Sequence, residues 1–302
     1  MIVIGVIAAL IAAFSWAVSA GFYKTGAKDV SPLTANLVRI LLPLLILIIM
    51  VVVLNLFPQI FLMTPLEWFL IFGSSLFAFV IGDALYFVTI QNIGVSRGVP
   101  ITATYPLFVL LWQILFLAQP IHLLMIPAAL ITVGGVALLS RQLNISSQSN
   151  EIFTRRRIWI GMCAALGTAF SWSISIILLS TVLQTSNLVL VAVIRLIIAL
   201  AILSPLVVGE QLSKPETTLS RRKLLFLSVG GLFALILGYL TFALALQLMD
   251  TTSVALLSSL TPLFAAFIGW RSLQERFDLK TLIAIIACVI GIILITIAVG
   301  IV

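Results

Sequence analysis

Apolar runs of about 20 residues follow one another along the whole chain, separated by short polar breaks, with no alternation of the kind a half-buried strand would show. Such a run, coiled as a helix, crosses the ~30 Å hydrocarbon core of a bilayer. A helix also satisfies its own backbone hydrogen bonds there, where no water can do so. The pattern predicts ten spans. Five fall at 2–22, 33–56, 66–90, 98–118 and 122–140, and five at 158–179, 188–208, 224–248, 254–270 and 279–300. The breaks sit at turn-forming or charged clusters, 24–32, 57–65, 91–97 and 119–121. Two longer hydrophilic stretches remain, 141–157 and 209–223, and only the first reads as a linker between halves.

The ten spans are a duplicated five. Shifted by 156 residues, the sequence meets itself without a gap: Ala13-Phe14-Ser15-Trp16 falls on Ala169-Phe170-Ser171-Trp172, and Arg39 on Arg195. Gly82 falls on Gly238, Gln91 on Gln247, and Pro106-Leu107-Phe108 on Pro262-Leu263-Phe264. Shared apolar composition would align Leu, Ile and Ala; it would not align Trp, Arg, Gln and Pro in one register. A repeat of this kind dictates the architecture. A unit with an odd number of crossings inserts its second copy upside down. The expected fold is therefore an all-α integral membrane protein of ten transmembrane helices in two inverted five-helix repeats. Residues 1–140 form the first, 141–157 the linker and 158–302 the second. In secondary transporters such halves enclose a substrate site near the membrane midplane.

Composition agrees with the spans. The chain is 63% hydrophobic and 8% charged, with a mean hydropathy of +1.32, against about a quarter charged residues in soluble domains. Its net charge of +7 belongs to loops flanking apolar spans, not to a nucleic-acid surface. With ten spans, the basic residues at span ends, among them Lys24, Arg97, Arg155 and Arg222, all fall on one side. The positive-inside rule makes that side, with the linker, cytoplasmic and puts both termini outside. The first twenty residues lack a basic start and have a repeat partner at 158–179, so they are expected to stay as a mature helix rather than a cleaved leader. Cys163 and Cys288 lie inside apolar spans without ligand spacing and read as small lipid- or helix-facing residues.

Three ionisable side chains lie deep in spans: Arg39, Asp83 and Arg195. Each needs a partner or water, because a charge at a helix centre costs about 2.5–3.5 kcal/mol on insertion scales. Arg39 is about 10 Å and Asp83 about 12 Å from the same face, at 1.5 Å per residue. Either the two form a buried ion pair, or Arg39 snorkels to the interface and Asp83 is protonated or faces water. Asp83 is also the candidate proton-coupling group, a role that pairing with Arg39 opposes. The repeat breaks at this point: Asp83 is matched by Tyr239, so Arg195 has no carboxylate at its own depth. It either snorkels, bonds to Tyr239 or backbone carbonyls, or offers positive potential to an anionic substrate. Pro106 and Pro262 fall mid-helix and are expected to kink spans four and nine, freeing carbonyls. Thr102 and Tyr105 precede the first, Ser258 and Thr261 the second. These, with Trp16, Trp172, Tyr86, Asp83, Arg195 and Tyr239, are the candidate substrate-binding residues.

The ordered set, a Trp late in each first helix, Lys24, Arg39 and Pro106 with their second-half counterparts, then Leu273-Gln274-Glu275 and Gly291, resembles the drug/metabolite transporter superfamily and its EamA type. The resemblance covers nearly the whole chain. It implies a solute carrier working by alternating access, with a central cavity lined by helices 1, 3, 4, 6, 8 and 9, and solutes ranging from amino acids and sugars to nucleotide conjugates and drugs. Ala17 and Ser173 stand where the family often has Gly, and Ala118-Gln119 where it often has Gly-Glu. The family is usually drawn with both termini cytoplasmic, opposite to the orientation that the charges favour.

The expected activity is therefore transport of a small metabolite, amino acid or drug-like solute by a monomer or homodimer in a cell (inner) membrane. The alternatives are a lipid or lipid-linked flippase and a non-transporting membrane scaffold subunit. No His-Glu-x-x-His, Gly-x-Ser-x-Gly or phosphate loop is present, and the single histidine, His122, sits at a span end. No enzyme activity, metal, cofactor or nucleic-acid partner is expected.

Overall fold

The computed structural model describes residues 1–117, 123–146, 154–213, 219–273 and nine positions between 283 and 297. Among these residues there are helices and turns but no strand. The first half comprises α1 (Ile2–Gly26), α2 (Pro32–Val53), α3 (Pro65–Ile93), α4 (Val95–Thr102), α5 (Tyr105–Trp112) and α6 (Met125–Ser146). The second comprises α7 (Arg155–Val182), α8 (Leu188–Ser213), α9 (Arg221–Leu248), α10 (Thr251–Ser258) and α11 (Thr261–Leu273). The described positions of the tenth expected span are also helical. Gln119, His122, Gln274, Glu275, Cys288 and residues 147–153 of the linker lie outside the described residues.

Helix starts are written locally in the sequence. Ser31 accepts a hydrogen bond from the Thr34 amide at 3.1 Å, ahead of Pro32. Thr64 and Glu67 close a reciprocal capping box ahead of Pro65. Ser220 and Asp250 cap α9 and α10 by accepting from the Lys223 and Ser253 amides. Among the described residues, six helices, α1, α2, α3, α7, α8 and α9, are long and apolar enough to cross a membrane individually. Their outward faces carry exposed Leu45, Val52, Phe69, Phe170 and Leu225, as lipid contact requires. Their inward faces carry small buried residues, Ala9, Ala12 and Ala13 on α1 and Ala165, Ala169 and Ser173 on α7, which let helices approach closely. Ala17 and Ser173, the departures from the family's glycines, are both buried and small enough to serve there.

Spans four and nine correct the sequence reading. Each was expected as one helix with a mid-helix proline; each is two helices. The fourth breaks after Thr102 and restarts at Tyr105; the ninth breaks after Ser258 and restarts at Thr261. Pro106 and Pro262 are the second residues of the restarted helices, so they do not kink a continuous one. The reason is the missing amide: in a first turn that N–H has no intrahelical acceptor, so its loss costs nothing there. The linker is also shorter than expected, because α6 runs to Ser146 and α7 starts at Arg155.

A feature that no apolar count foretold recurs in both halves. Within α3, Leu76–Gly82 is a π-helical turn; within α9, Leu232–Gly238 is another, at the matching positions. These turns are where the halves dock. Ser15 donates to the Phe233 carbonyl at 2.6 Å, and Ser171 donates to the Phe77 carbonyl at 2.5 Å. The same shift that carries Ser15 onto Ser171 carries Phe77 onto Phe233, so the two contacts exchange under one operation. An operation that is its own inverse is a two-fold rotation. Gln91 and Gln247 repeat the pattern within their halves: Gln91 Nε2 donates to Ala27 and Val30 carbonyls at 3.2 and 2.8 Å, Gln247 Nε2 to Leu183 and Ser186 carbonyls at 3.0 and 3.5 Å.

Loop contacts sort by face as inverted topology demands. Ser31 donates to Glu210 at 2.5 Å, and Arg157 donates to the Gln91 carbonyl at 3.4 Å. These loops follow odd-numbered spans. Glu67 accepts from Thr185 at 2.6 Å and from Ser186 at 2.9 Å, joining loops that follow even-numbered spans. Odd loops thus meet odd loops and even meet even, which fixes the span order through the described residues.

Candidate functional site

A cavity of about 160 Å³ lies between the halves. At the ~30 Å³ that a water occupies in the liquid, it holds a handful of waters or one small solute. Both repeats wall it. Trp16, Asp83, Tyr86, Thr102, Tyr105, Trp172, Arg195, Tyr239 and Thr261 all line it, as does Arg39. Of the candidate substrate-binding residues, Ser258 alone does not. Its hydroxyl lies 2.7 Å from that of Tyr105 and donates to the Val254 carbonyl, so it stands behind the wall and orients Tyr105. Tyr105 also donates to the Ala255 carbonyl at 3.0 Å.

Each indole is seated by the other half. A Cβ on Gly82 would lie 2.6 Å from Trp172 Cδ1, and one on Gly238 would lie 2.6 Å from Trp16 Nε1. The glycine that closes each π turn is thus needed so that the opposite tryptophan can lie flat against it. Trp16 Nε1 donates to the Ala234 carbonyl at 3.2 Å. Trp172 Nε1 donates instead to Asp83 Oδ1 at 3.0 Å.

Asp83 and Arg39 form a salt bridge between Oδ2 and Nη2, with both residues about 95% or more buried (5% and 3% exposed). Arg39 Nε donates to Asn36 Oδ1 at 3.1 Å, and Nη1 to the Tyr23 hydroxyl at 3.2 Å. Asn36 in turn donates to the Phe79 carbonyl of the π turn at 2.5 Å. The guanidinium also lies 5.4 Å from the Tyr23 ring centre and 5.5 Å from that of Phe87. Arg39 therefore does not snorkel: it is held by a carboxylate, an amide, a phenol and two ring faces.

Arg195 does not snorkel either. It is 2% exposed, and Nη2 donates to the Ser74 carbonyl at 3.1 Å and the Ser175 hydroxyl at 3.0 Å. Its guanidinium lies 4.6 Å from the Phe79 ring centre and 5.1 Å from that of Tyr239, contacts worth up to ~2 kcal/mol each where water is excluded. Arg195 Nε has no acceptor, and the Tyr239 hydroxyl lies beside the guanidinium as a neutral partner.

Several wall residues escaped the sequence reading. Ser19 and Tyr23 line the cavity, three and seven residues after Trp16, and Ser175 lies three after Trp172. Positions i, i+3 and i+7 share one helix face, so extending the tryptophan stripe would have found them. Phe79 and Phe242, by contrast, are set by the π turns and by packing across the halves, which no periodicity exposes. Among the described residues no cluster of three or more His, Cys, Asp or Glu could hold a metal ion.

A bundle of apolar helices, duplicated by inversion and closed around one cavity, is a multi-pass membrane protein built as solute carriers are. The chain belongs to the EamA-like transporter family, which matches it twice, over residues 3–141 and 159–297. It is 29% identical over 289 residues to an uncharacterized transporter of Archaeoglobus fulgidus, a match that spans 96% of each chain. It is also similar to a protein of known crystal structure, with a TM-score of 0.76 at 13% identity over 98% of this chain and 97% of that one. That likeness bears on the fold alone.

Proposed function

We propose that this transporter moves a small metabolite, amino acid or drug-like solute by alternating access at the cavity between its repeats. The observation that carries the reading is the pairing of equivalent residues on one wall. Trp16 and Trp172, Arg39 and Arg195, and Asp83 and Tyr239 all face a single space. A site shared by two inverted repeats has a simple route to alternating access. If each half takes the other's conformation, an opening toward one face becomes the matching opening toward the other. The π turns and the broken fourth and ninth spans are the places where such an exchange meets the least continuous hydrogen bonding. In this reading the aromatic and hydroxyl residues of the wall hold the solute's body, and Arg39, Asp83 and Arg195 set the charge it must match. The cavity's size supports a small solute over a lipid. The basic loops and linker face the cytoplasm of a cell (inner) membrane and both termini face outward, as the charge bias favours.

The test uses protein in liposomes with Cys163 and Cys288 replaced by Ala and single cysteines introduced as Ser19→Cys or Ser259→Cys. Both hydroxyls line the cavity and bond only within their own helices, to the Trp16 and Leu256 carbonyls. A membrane-impermeant thiol reagent should reach each position from either face, and conditions that raise labelling from one face should lower it from the other. Labelling from one face only under every condition, with no flux of any solute from a metabolite mixture, would reject transport. In intact cells, a cysteine at position 1 that the impermeant reagent reaches only after permeabilisation would reject the orientation.

A further inference from the structure

Arg195 sits where Arg39 sits in the other half, but it lacks what Arg39 has. At Arg39 the resident carboxylate is Asp83; at the matching position stands Tyr239, whose ring lies against the Arg195 guanidinium. The vacancy shows in the hydrogen bonds. Arg195 Nε is buried without an acceptor, and the neutral Tyr239 hydroxyl is the group beside the guanidinium, although both residues line the cavity. The Tyr239 oxygen can accept from the guanidinium but carries no charge, so what Arg195 lacks is an anionic acceptor. A guanidinium is charged at all accessible pH, and a buried one without an anion is costly.

The charge of the wall narrows the acceptor further. Among the described lining residues, the ionisable acids and bases are Arg39, Asp83 and Arg195. Arg39 and Asp83 neutralise each other, which leaves one positive charge. A single carboxylate neutralises it. A zwitterion does not, and its ammonium would find the one carboxylate already bonded to Arg39 and to Trp172. The uncharged part of the wall combines rings, among them Trp16, Trp172 and Phe242, with aliphatic side chains and hydroxyls.

We propose that the cavity binds an organic monocarboxylate with an apolar body. Its carboxylate docks on Arg195 as Asp83 docks on Arg39, and its body lies between Trp16 and Trp172. Arg195 Nε and the Tyr239 hydroxyl are shut off from water in this conformation, so loading requires the wall to open. Tyr239 is placed to do this, because it follows the π turn directly. This inference rests on the cavity being the transport site, but it is read out by binding.

The experiment measures thermal shift and intrinsic tryptophan fluorescence of purified full-length protein, titrated with 3-phenylpropionate, its neutral amide, phenylalanine and sodium chloride. The expected result is saturable binding of the carboxylate, at least tenfold weaker binding of the amide and of the zwitterion, and no response to chloride. Arg195→Gln should weaken carboxylate binding at least tenfold and leave amide binding unchanged. Because that variant removes a buried group, Tyr239→Asp supplies the second arm. It places a carboxylate where the first half has one, so it should raise the unfolding midpoint and abolish binding of the carboxylate. Equal binding of acid and amide, tighter binding of phenylalanine, an equal response to chloride, or full carboxylate binding by Tyr239→Asp would each overturn the proposal. Carboxylate binding without flux would instead reject the transport reading and leave this one standing; flux of other solutes without carboxylate binding would do the reverse.

Discussion

The two halves place the same arginine at the same depth and then treat it differently. Arg39 has a carboxylate that also accepts from Trp172 of the opposite repeat, an amide and a phenol. Arg195 has a carbonyl, a hydroxyl and two ring faces, with its Nε–H left without an acceptor. Duplication gives both halves the same scaffold, and one substitution, Asp against Tyr, then divides the work. The first half has become a self-satisfied strut. The second keeps an unspent positive charge on the cavity wall. A protein that needed only a kinked, symmetric bundle would have no reason to leave that charge unpaired.

The comparison breaks most sharply at Asp83. Asp83→Leu leaves Arg39 buried without its counter-ion and should cost about 3–5 kcal/mol, the range seen when one partner of a buried pair is removed. Adding Arg39→Met removes the stranded charge and should recover most of the loss; thermal unfolding in detergent reads both. No recovery in the double variant would show that Arg39 is held by its other partners rather than by Asp83.

The tryptophans give the next contrast. Trp172→Phe deletes a donor to a carboxylate and Trp16→Phe a donor to a carbonyl. Bonds to charged groups are worth about 1.5–3 kcal/mol and neutral ones about 0.5–1.5, so Trp172→Phe should lower the unfolding midpoint more. Equal losses would mean that the asymmetry at Asp83 does not reach the opposite half.

Matching positions 75 and 231 test the scaffold itself. Ser75 donates to the Arg195 carbonyl at 2.6 Å, whereas a Cβ on Gly231 would lie 2.1 Å from the Arg39 carbonyl oxygen. The backbones approach more closely in that pairing, so Gly231→Ser should cost about 1–3 kcal/mol by overpacking. Ser75→Ala should cost about 1 kcal/mol, one hydrogen bond. The smallest effect belongs to the glutamines. Gln91→Ala should destabilise by no more than about 1 kcal/mol and Gln247→Ala by less, since its second bond is long at 3.5 Å.

Much of this was legible before any coordinates. The spans follow from run length against bilayer thickness, and the inversion follows from an odd repeat count. Helix starts follow from Ser31, Thr64, Ser220 and Asp250, because a cap is a contact within three residues. The wall followed in part: Trp16, Trp172, Tyr86 and Tyr239 were singled out from the repeat and from their composition. Other features were hidden. Ser258 belonged by pattern to the wall and by geometry behind it, since only packing sets which hydroxyl faces space. The fourth and ninth spans read as continuous because their apolar run does not stop where their hydrogen bonding does.

The sequence by itself determined the number, order and inversion of the helices, because these depend on chain-local hydrophobicity and on counting. It also determined that Arg39 and Arg195 would be equivalent and that Asp83 and Tyr239 would not. The tertiary structure alone decided what each arginine bonds to, where the π turns open carbonyls to the opposite half, and that Trp172 reaches Asp83. Several of those contacts, such as Ser15 to Phe233, Ser171 to Phe77 and Trp172 to Asp83, join residues about ninety or more positions apart in opposite halves. Their energies depend on which groups lose water together, a property of the packed molecule that no window along the chain contains.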